Sequence, residues 1–367
     1  MYRRAIATAV GVAAVTGLLA FVIAQRYDQP LLDPEGSFLG PSWIRLPLLL
    51  TLCLALDIVP RMLWHSRLRR SAMGAVVKER LRTHWTRDRI LLVSLGVTCF
   101  YVTYVGYRNL KSALPFVRDF SDPSQMFDRE LMNVDRLLFF GHRPGPVLHD
   151  VLGSTVAAHV LSTIYLLFVP MVPLLVMVWI VWSRRISFGY WFVVSQCFAW
   201  ALGTASYYAL PTLGPAFYFA PGYTDLAHTG TTDLIAALYK SRATILNGSY
   251  DGQSVEGIVN SVAGFASLHC GITLLWALMV QFTVRSVWLK RIFWTNFGLT
   301  VIATIYFGWH YLADDVAGIM IALLSFYLGG LATGQRFDRS RLRPLAEAEA
   351  DQAAASEPAR DKPVATA

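Results

Sequence analysis

The chain has 367 residues, of which 55% are hydrophobic and 15% charged, with a mean hydropathy of +0.45 and a formal net charge of +8. Soluble domains carry about 25% charged residues, and here the charges fall in short clusters between long uncharged runs, which excludes an ordinary soluble globule and reads as a chain threaded through a bilayer. The surplus of Lys and Arg sits in juxtamembrane clusters, not in a folded basic domain, which argues against nucleic acid as a partner and for orientation in the membrane.

A helix needs about 20 apolar residues to cross the hydrocarbon core. Runs of that kind lie at 5–24, 43–59, 90–107, 156–182, 188–210, 264–284, 292–309 and 316–334. The expected fold class is therefore all-α integral membrane, a helical bundle of about eight transmembrane helices. Residues 1–60 supply two N-terminal spans and 61–89 a basic cytoplasmic loop. Residues 90–335 form the membrane core, with outer loops at 108–154 and 211–263, and 336–367 form a cytoplasmic tail. Pro170 and Pro173 favour a kink in the fourth span. The first span follows Arg3 and Arg4 but has no A-x-A site after it, so it reads as an uncleaved anchor rather than a signal peptide.

Orientation follows the basic residues. Arg3 and Arg4, the nine Lys and Arg between 61 and 89, Arg184 with Arg185, Arg285 with Lys290 and Arg291, and Arg336 to Arg343 alternate so that all fall on one side. The positive-inside rule makes that side cytoplasmic and puts both termini inside. The 108–154 loop mixes apolar and charged residues, as helices lying on the membrane surface do. The 211–263 loop is rich in Gly, Pro, Tyr and Asp and reads as a shaped loop or lid. From about 346 the tail is rich in Ala, Glu, Asp and Pro and is expected to be largely disordered. Cys53, Cys99, Cys197 and Cys270 each sit in an apolar run without C-x-x-C spacing, as buried inert thiols do.

Topology also sorts the eight histidines. His65 and His84 fall in the basic loop, His142, His149 and His228 in outer loops at the surface, and His159 inside a span with a packing role. His269, a few residues into the sixth span, and His310, ending the seventh, reach the same depth on the outer side. Asp314 follows His310 by four residues, so a continuing helical turn would bring the two together. A carboxylate on one imidazole nitrogen fixes the tautomer and makes the other nitrogen more nucleophilic. Ionisable groups this near a bilayer are costly and usually functional. Two histidines and a carboxylate also suit zinc, which leaves a metal-dependent hydrolase as an alternative.

Gly264-Phe265-Ala266-Ser267-Leu268-His269, followed by Gly308-Trp309-His310-Tyr311-x-x-Asp314-x-x-Ala317-Gly318, resembles the type 2 phosphatidic acid phosphatase superfamily. That family's signatures are K-x6-R-P, P-S-G-H and S-R-x5-H-x3-D. Leu268 stands where the second block has glycine, and Ala303 and Thr304 stand where the third has Ser-Arg. The Ser-Leu-His reading and the segment Pro211-Thr212-Leu213-Gly214-Pro215 resemble the branch that includes the fungal inositol phosphorylceramide synthases. The likeness runs from roughly 104 to 330 and implies a six-helix core within the bundle.

The resemblance implies a membrane enzyme that transfers or hydrolyses a lipid-linked phosphate group at the outer face, as an inositolphosphotransferase or a lipid phosphatase, with no cofactor. It implies that His310 attacks phosphorus to form a phosphohistidine, that Asp314 orients it, and that His269 protonates the leaving oxygen. Ser267 is implied as a phosphate ligand. In the place of the first block stands Tyr104-x-x-Tyr107-Arg108-x-x-Lys111-x-x-x-Pro115, where Arg108 and Lys111 are spaced to aim at one anion from a helix. Tyr107, Tyr218, Tyr250 and Asp251 are candidate substrate contacts. The expected partners are the bilayer, a phospholipid or polyprenyl-linked phosphate, and a lipid or glycan acceptor. The expected location is a plasma membrane with the site on its outer face, or the luminal face in a eukaryote, where Asn247-Gly248-Ser249 would be a glycosylation sequon. A non-catalytic transporter or scaffold that kept the fold is the remaining alternative.

Overall fold

The computed structural model describes residues 2–33, 41–65, 69–118, 125–183, 185–246 and 264–335. Among them no strand occurs. Helices α1 (Tyr2–Arg26), α2 (Ser42–His65), α3 (Arg70–Thr83) and α4 (Arg87–Val117) are followed by α5 (Asp128–Leu138) and α6 (Pro144–Leu152). Next come α7 (Val156–Trp182), α8 (Ile186–Ala209), the short α9 (Pro215–Tyr218) and α10 (Gly230–Leu246). Helices α11 (Leu268–Thr283), α12 (Val287–Tyr306) and α13 (Leu312–Ala332) close the described chain.

Each apolar run read from the sequence lies mostly on a single helix. Helices α1, α2, α4, α7, α8 and α13 are long and apolar enough to cross a membrane. The other two differ for local reasons. Helix α11 has 16 residues, about 24 Å at 1.5 Å per residue, because residues 264–267 enter the bundle as non-helical backbone. Helix α12 carries Lys290 and Arg291 near its start, which lowers its apolarity there. Helix α4 runs ten residues beyond the expected boundary at 107, to Val117. Arg108 and Lys111 therefore project from a helix and do not begin a loop. Helix α7 is continuous through Pro170 and Pro173.

The 108–154 region, beyond the end of α4, contains α5 and α6. The 211–263 region, read as a loop, is partly helical, with α9, a 3₁₀ turn at Ala220–Gly222 and the 17-residue α10. Tyr250, Asp251, the 247–249 sequon and the tail at 336–367 lie outside the described residues.

Helix α8 is the hub. Its residues Tyr190, Trp191, Phe192, Val193 and Val194 are all fully buried, as a helix apolar on every side must be. It touches α1, α4, α7, α11 and α13. Helix α1 also packs along α4, and α2 packs on α7, so the two N-terminal helices belong to the same bundle. Lipid-facing positions carry exposed apolar side chains such as Leu18, Leu19 and Val22 on α1.

Helices α11 and α13 meet backbone to backbone. A Cβ on Gly318 would lie 2.1 Å from the Ser267 carbonyl oxygen, and one on Gly271 would lie 2.8 Å from the Gly318 carbonyl oxygen. Overpacking of such a contact costs about 1–3 kcal/mol. Gly318→Ala is accordingly expected to lower the thermal midpoint of the detergent-solubilised protein by several degrees. Gly298→Ala, where a Cβ meets nothing within 4 Å, should leave the midpoint level or raise it. Equal midpoints for the two variants would show that the α11–α13 contact is not tight.

Candidate active site

The site forms where two chain segments stop being helical. Helix α12 ends at Tyr306 and α13 begins at Leu312. Between them Gly308 takes φ +65°, with no room for a Cβ beside the Tyr223 ring. This turn places His310 ahead of α13, not on it. The expected helical pairing with Asp314 is therefore replaced by a helix cap. Oδ2 of Asp314 accepts from the Tyr311 backbone N–H at 3.0 Å, which satisfies one of the free donors of the first turn. The same oxygen lies 3.4 Å from Nδ1 of His310, with His310 7% and Asp314 0% exposed. Their separation is that of an ion pair, but the hydrogen-bond angle is not met, and Nδ1 of His310 and Oδ1 of Asp314 have no bonded partner.

The second segment brings His269. Ser267 caps α11 through its Oγ, which accepts from Cys270 N at 3.4 Å. Its own N–H donates to the Asp314 carbonyl oxygen at 2.9 Å. The His269 ring lies 6.4 Å from the His310 ring, centroid to centroid. It is held between Tyr165, stacked at 4.2 Å and 14°, and Phe168 at 4.1 Å. Tyr165 in turn stacks on Trp309 at 5.4 Å and 5°. One aromatic column thus fixes His269 and the residue beside His310.

The cations come from α4. Lys111 interacts electrostatically with both His269 and His310, and Arg108 with Lys111. The Lys111 ammonium sits 5.5 Å over the Tyr207 ring. Tyr107 is buried against Trp200, with ring centroids 4.6 Å apart. Tyr218 is exposed on α9, edge-on to Phe219, and no described contact joins it to the histidines. Ser267 is fully buried, with its hydroxyl engaged by Cys270 and Asp315.

Several polar residues here were not anticipated from the sequence. Asp128, fully buried at the start of α5, accepts from Leu213 N at 3.0 Å, Gly214 N at 2.9 Å and the Tyr311 hydroxyl at 2.9 Å. Asp135, one face of α5 further on, accepts from Leu312 N at 3.1 Å. Together they hold the His310 turn against the proline-rich segment 211–215. Gly214, at φ +93°, lets that segment approach the Trp309 carbonyl, and Ala216 N donates to Gly308 O at 2.7 Å. Asp315 accepts from the Cys270 thiol and the Thr304 hydroxyl, each at 2.9 Å. His149, read as a surface residue, is half-buried and bonds the Tyr306 carbonyl through Nε2 at 2.7 Å. His159, expected to be packed, is exposed. Among the described residues no three His, Cys, Asp or Glu side chains are grouped to hold a metal ion.

A family model described as PAP2 superfamily matches residues 129–328. The matched stretch contains His269, His310 and Asp314, and it starts after α4. No curated protein and no solved structure matches the chain.

Burial raises the Asp135 carboxyl to about 7, with the Asp314 charge adding to the shift and the Leu312 N–H opposing it. Burial likewise raises Asp128 to about 6, against the donors from Leu213, Tyr311 and Gly214. Both folded values exceed the ordinary 3.8. Their contribution to stability is therefore complete below about pH 4 and is lost as pH rises through about 6 to 7. The thermal midpoint of the wild type is expected to fall over that window, and Asp135→Asn should flatten the fall. An unchanged slope in Asp135→Asn would remove Asp135 from the account.

Proposed function

The chain belongs to the PAP2 superfamily, whose members are in general phosphatases or phosphotransferases, and we propose that it moves a lipid-linked phosphoryl group through a phosphohistidine on His310. The observation that carries this reading is the meeting of His269, His310 and Asp314 from two separate segments, with Lys111 interacting electrostatically with both histidines. Asp314 faces Nδ1 of His310, which leaves Nε2 to attack. The two rings lie 6.4 Å apart, centroid to centroid, so both address the same small volume.

In the first step Nε2 of His310 bonds to phosphorus, the bond from phosphorus to the leaving oxygen breaks, and His269 gives that oxygen its proton. In the second step His269 takes a proton from water or an alcohol, that oxygen bonds to phosphorus, and the bond to Nε2 breaks. Asp314 holds the imidazole and stabilises its positive form. Lys111 and Arg108, with the backbone N–H groups at the start of α11, bind the phosphoryl oxygens. Ser267, whose N–H is given to Asp314 and whose hydroxyl is given to Asp315, shapes that helix start and does not itself bind phosphate. Tyr107, Tyr218, Tyr250 and Asp251 are assigned to the remainder of the substrate. No cofactor is required.

Local charge favours a phosphodiester donor. Two carboxylates, Asp314 and Asp315, stand at the nucleophile, and Thr304 occupies the place of the family's arginine. A diester brings one negative charge where a monoester brings about 1.5 to 2. Together with the Ser-Leu-His block, this supports transfer of a headgroup phosphate such as inositol phosphate to a lipid or glycan acceptor. The alternation of basic clusters supports a plasma-membrane protein with both termini cytoplasmic and the site on the outer face, or the luminal face in a eukaryote.

Purified protein in liposomes, given labelled phosphatidylinositol, phosphatidic acid and a polyprenyl phosphate in turn, tests this reading. The expected result is a new phosphodiester from the first and acid-labile label on the protein. His310→Ala should abolish both, and His269→Gln should lower kcat by about 10²–10⁴-fold. Free phosphate as the sole product would replace transfer with hydrolysis. Loss of turnover after exhaustive chelation would favour a metal-dependent hydrolase. Wild-type turnover in both His310→Ala and Asp314→Ala would leave a transporter or scaffold.

A further inference from the structure

Asp315 lies beside the proposed machinery but has no part in the steps above. It is 1% exposed, in a bundle where an unpaired carboxylate is costly. Three donors surround it, two from the start of α11 and one from α12. The Cys270 thiol, next to His269, donates at 2.9 Å to Oδ1. The Thr304 hydroxyl of α12 lies 2.9 Å from Oδ2. The Ser267 hydroxyl, at the cap of α11, is a third contact.

Thr304 links this carboxylate to the nucleophile by a second route. Its backbone carbonyl accepts from Trp309 N at 2.9 Å and from His310 N at 3.4 Å. Its hydroxyl has a single proton and two acceptors in reach, Asp315 Oδ2 and the Val301 carbonyl at 2.7 Å. The Thr304 hydroxyl is therefore shared between helix α12 and Asp315, while its carbonyl holds the His310 turn.

Asp315 also interacts electrostatically with His310 directly. The groups facing the His310 ring are Asp314 and Asp315 from α13, Lys111 from α4, His269 from α11, and the backbone of Gly264. Lys111 and a protonated His269 both oppose positive charge on His310. Asp314 favours it, but its Oδ2 is shared with the Tyr311 N–H. One shared carboxylate against two positive groups leaves the ring short of negative charge. A phosphorylated imidazole that keeps its Nδ1 proton is positive, and its formation needs that charge balanced.

We propose that Asp315 is a positioning residue with a second, electrostatic duty: bonded to Cys270 and Thr304 but not to the ring, it supplies the counter-charge that Asp314 shares with the helix cap, and so stabilises the positive form of His310. The proposal rests on the role given above to His310, but its test does not require turnover.

The test follows the ring by NMR in detergent, on protein labelled with ¹⁵N-histidine, with the His310 signals assigned by their loss in His310→Asn. Asp315→Asn keeps the shape and removes the charge. The His310 midpoint is expected to move down by about one pH unit, the lower end of what a nearby opposite charge contributes. Thr304→Val withdraws one donor from the carboxylate and should move the midpoint the same way by less, which serves if Asp315→Asn does not fold. The acid limb of the kcat/KM profile should follow the same order. An unmoved midpoint in Thr304→Val, and in Asp315→Asn where it folds, overturns the counter-charge role and leaves Asp315 a packing residue. Absence of turnover in the wild type, with the midpoints moving as stated, overturns the phosphoryl-transfer reading and leaves this one standing.

Discussion

A single backbone hydrogen bond organises the centre of this molecule. The Ser267 N–H donates to the Asp314 carbonyl at 2.9 Å, and it forms only because Gly318 and Gly271 have no side chains to hold α11 and α13 apart. The bond joins the first turn of one helix to the first turn of another. Each helix start has unsatisfied N–H groups and a positive dipole end, so both point the same character at the same small volume. His269 sits two residues beyond one partner, and His310 four residues before the other. Their facing is thus a consequence of backbone contact, which also explains why α11 is short: it starts at the site, part-way into the bundle.

Carboxylates then lock the segments that this contact brings together. Asp128 joins α5 to the 211–215 segment and to Tyr311, Asp135 joins α5 to the start of α13, and Asp315 joins α13 to α11 and α12. Moving any one of these segments away would leave a buried carboxylate without its donors, at about 1–3 kcal/mol or more for each group. In an apolar bundle that asymmetry matters more than the net worth of each bond. Apolar packing between helices in lipid gives little directional preference, while buried acids with donors from fixed places allow one arrangement.

This division also separates what could be read from the sequence from what could not. The long helices were legible because the bilayer imposes their length on the hydrophobic pattern. That His269, His310 and Asp314 come together was legible because their spacing along the chain, and the end of the run on which each falls, are linear properties of the sequence. The partners of Asp128 lie 85 and 183 positions away, and that of Asp135 lies 177 away. Asp135 stands between Val134 and Arg136 in a charged stretch that reads as a solvated face. His149 bonds a carbonyl 157 positions away, with nothing in its neighbourhood to mark it. The turn at 307–311 was hidden for another reason: Gly308 at φ +65° breaks a pattern that otherwise continues as helix, so the pairing of His310 with Asp314 was anticipated but its geometry was not.

The role proposed for Lys111 would give the N-terminal helices a purpose. On the proposed role of Lys111, the phosphate clamp is not on the turn that bears the nucleophile, because Thr304 there is fully buried and engaged by Asp315. It is on α4, which the family match does not reach. A clamp on a separate helix is only as well placed as that helix. Helix α4 is held by α1 through close contacts at Gly106, where a Cβ would meet Thr16 at 2.9 Å, and at Gly17, where one would meet Val102 at 3.0 Å. Asn109 accepts from Leu32 N at 2.9 Å and donates to Leu32 O at 2.8 Å, tying the end of the α1 segment to the turn of α4 between Arg108 and Lys111. Tyr208 donates to Leu110 O at 2.7 Å from the other side. On that proposal, a cation carried by α4 and not by the His310 turn makes the accuracy of phosphate binding depend on the α1–α4 contact, and the N-terminal helix part of the scaffold of the proposed site.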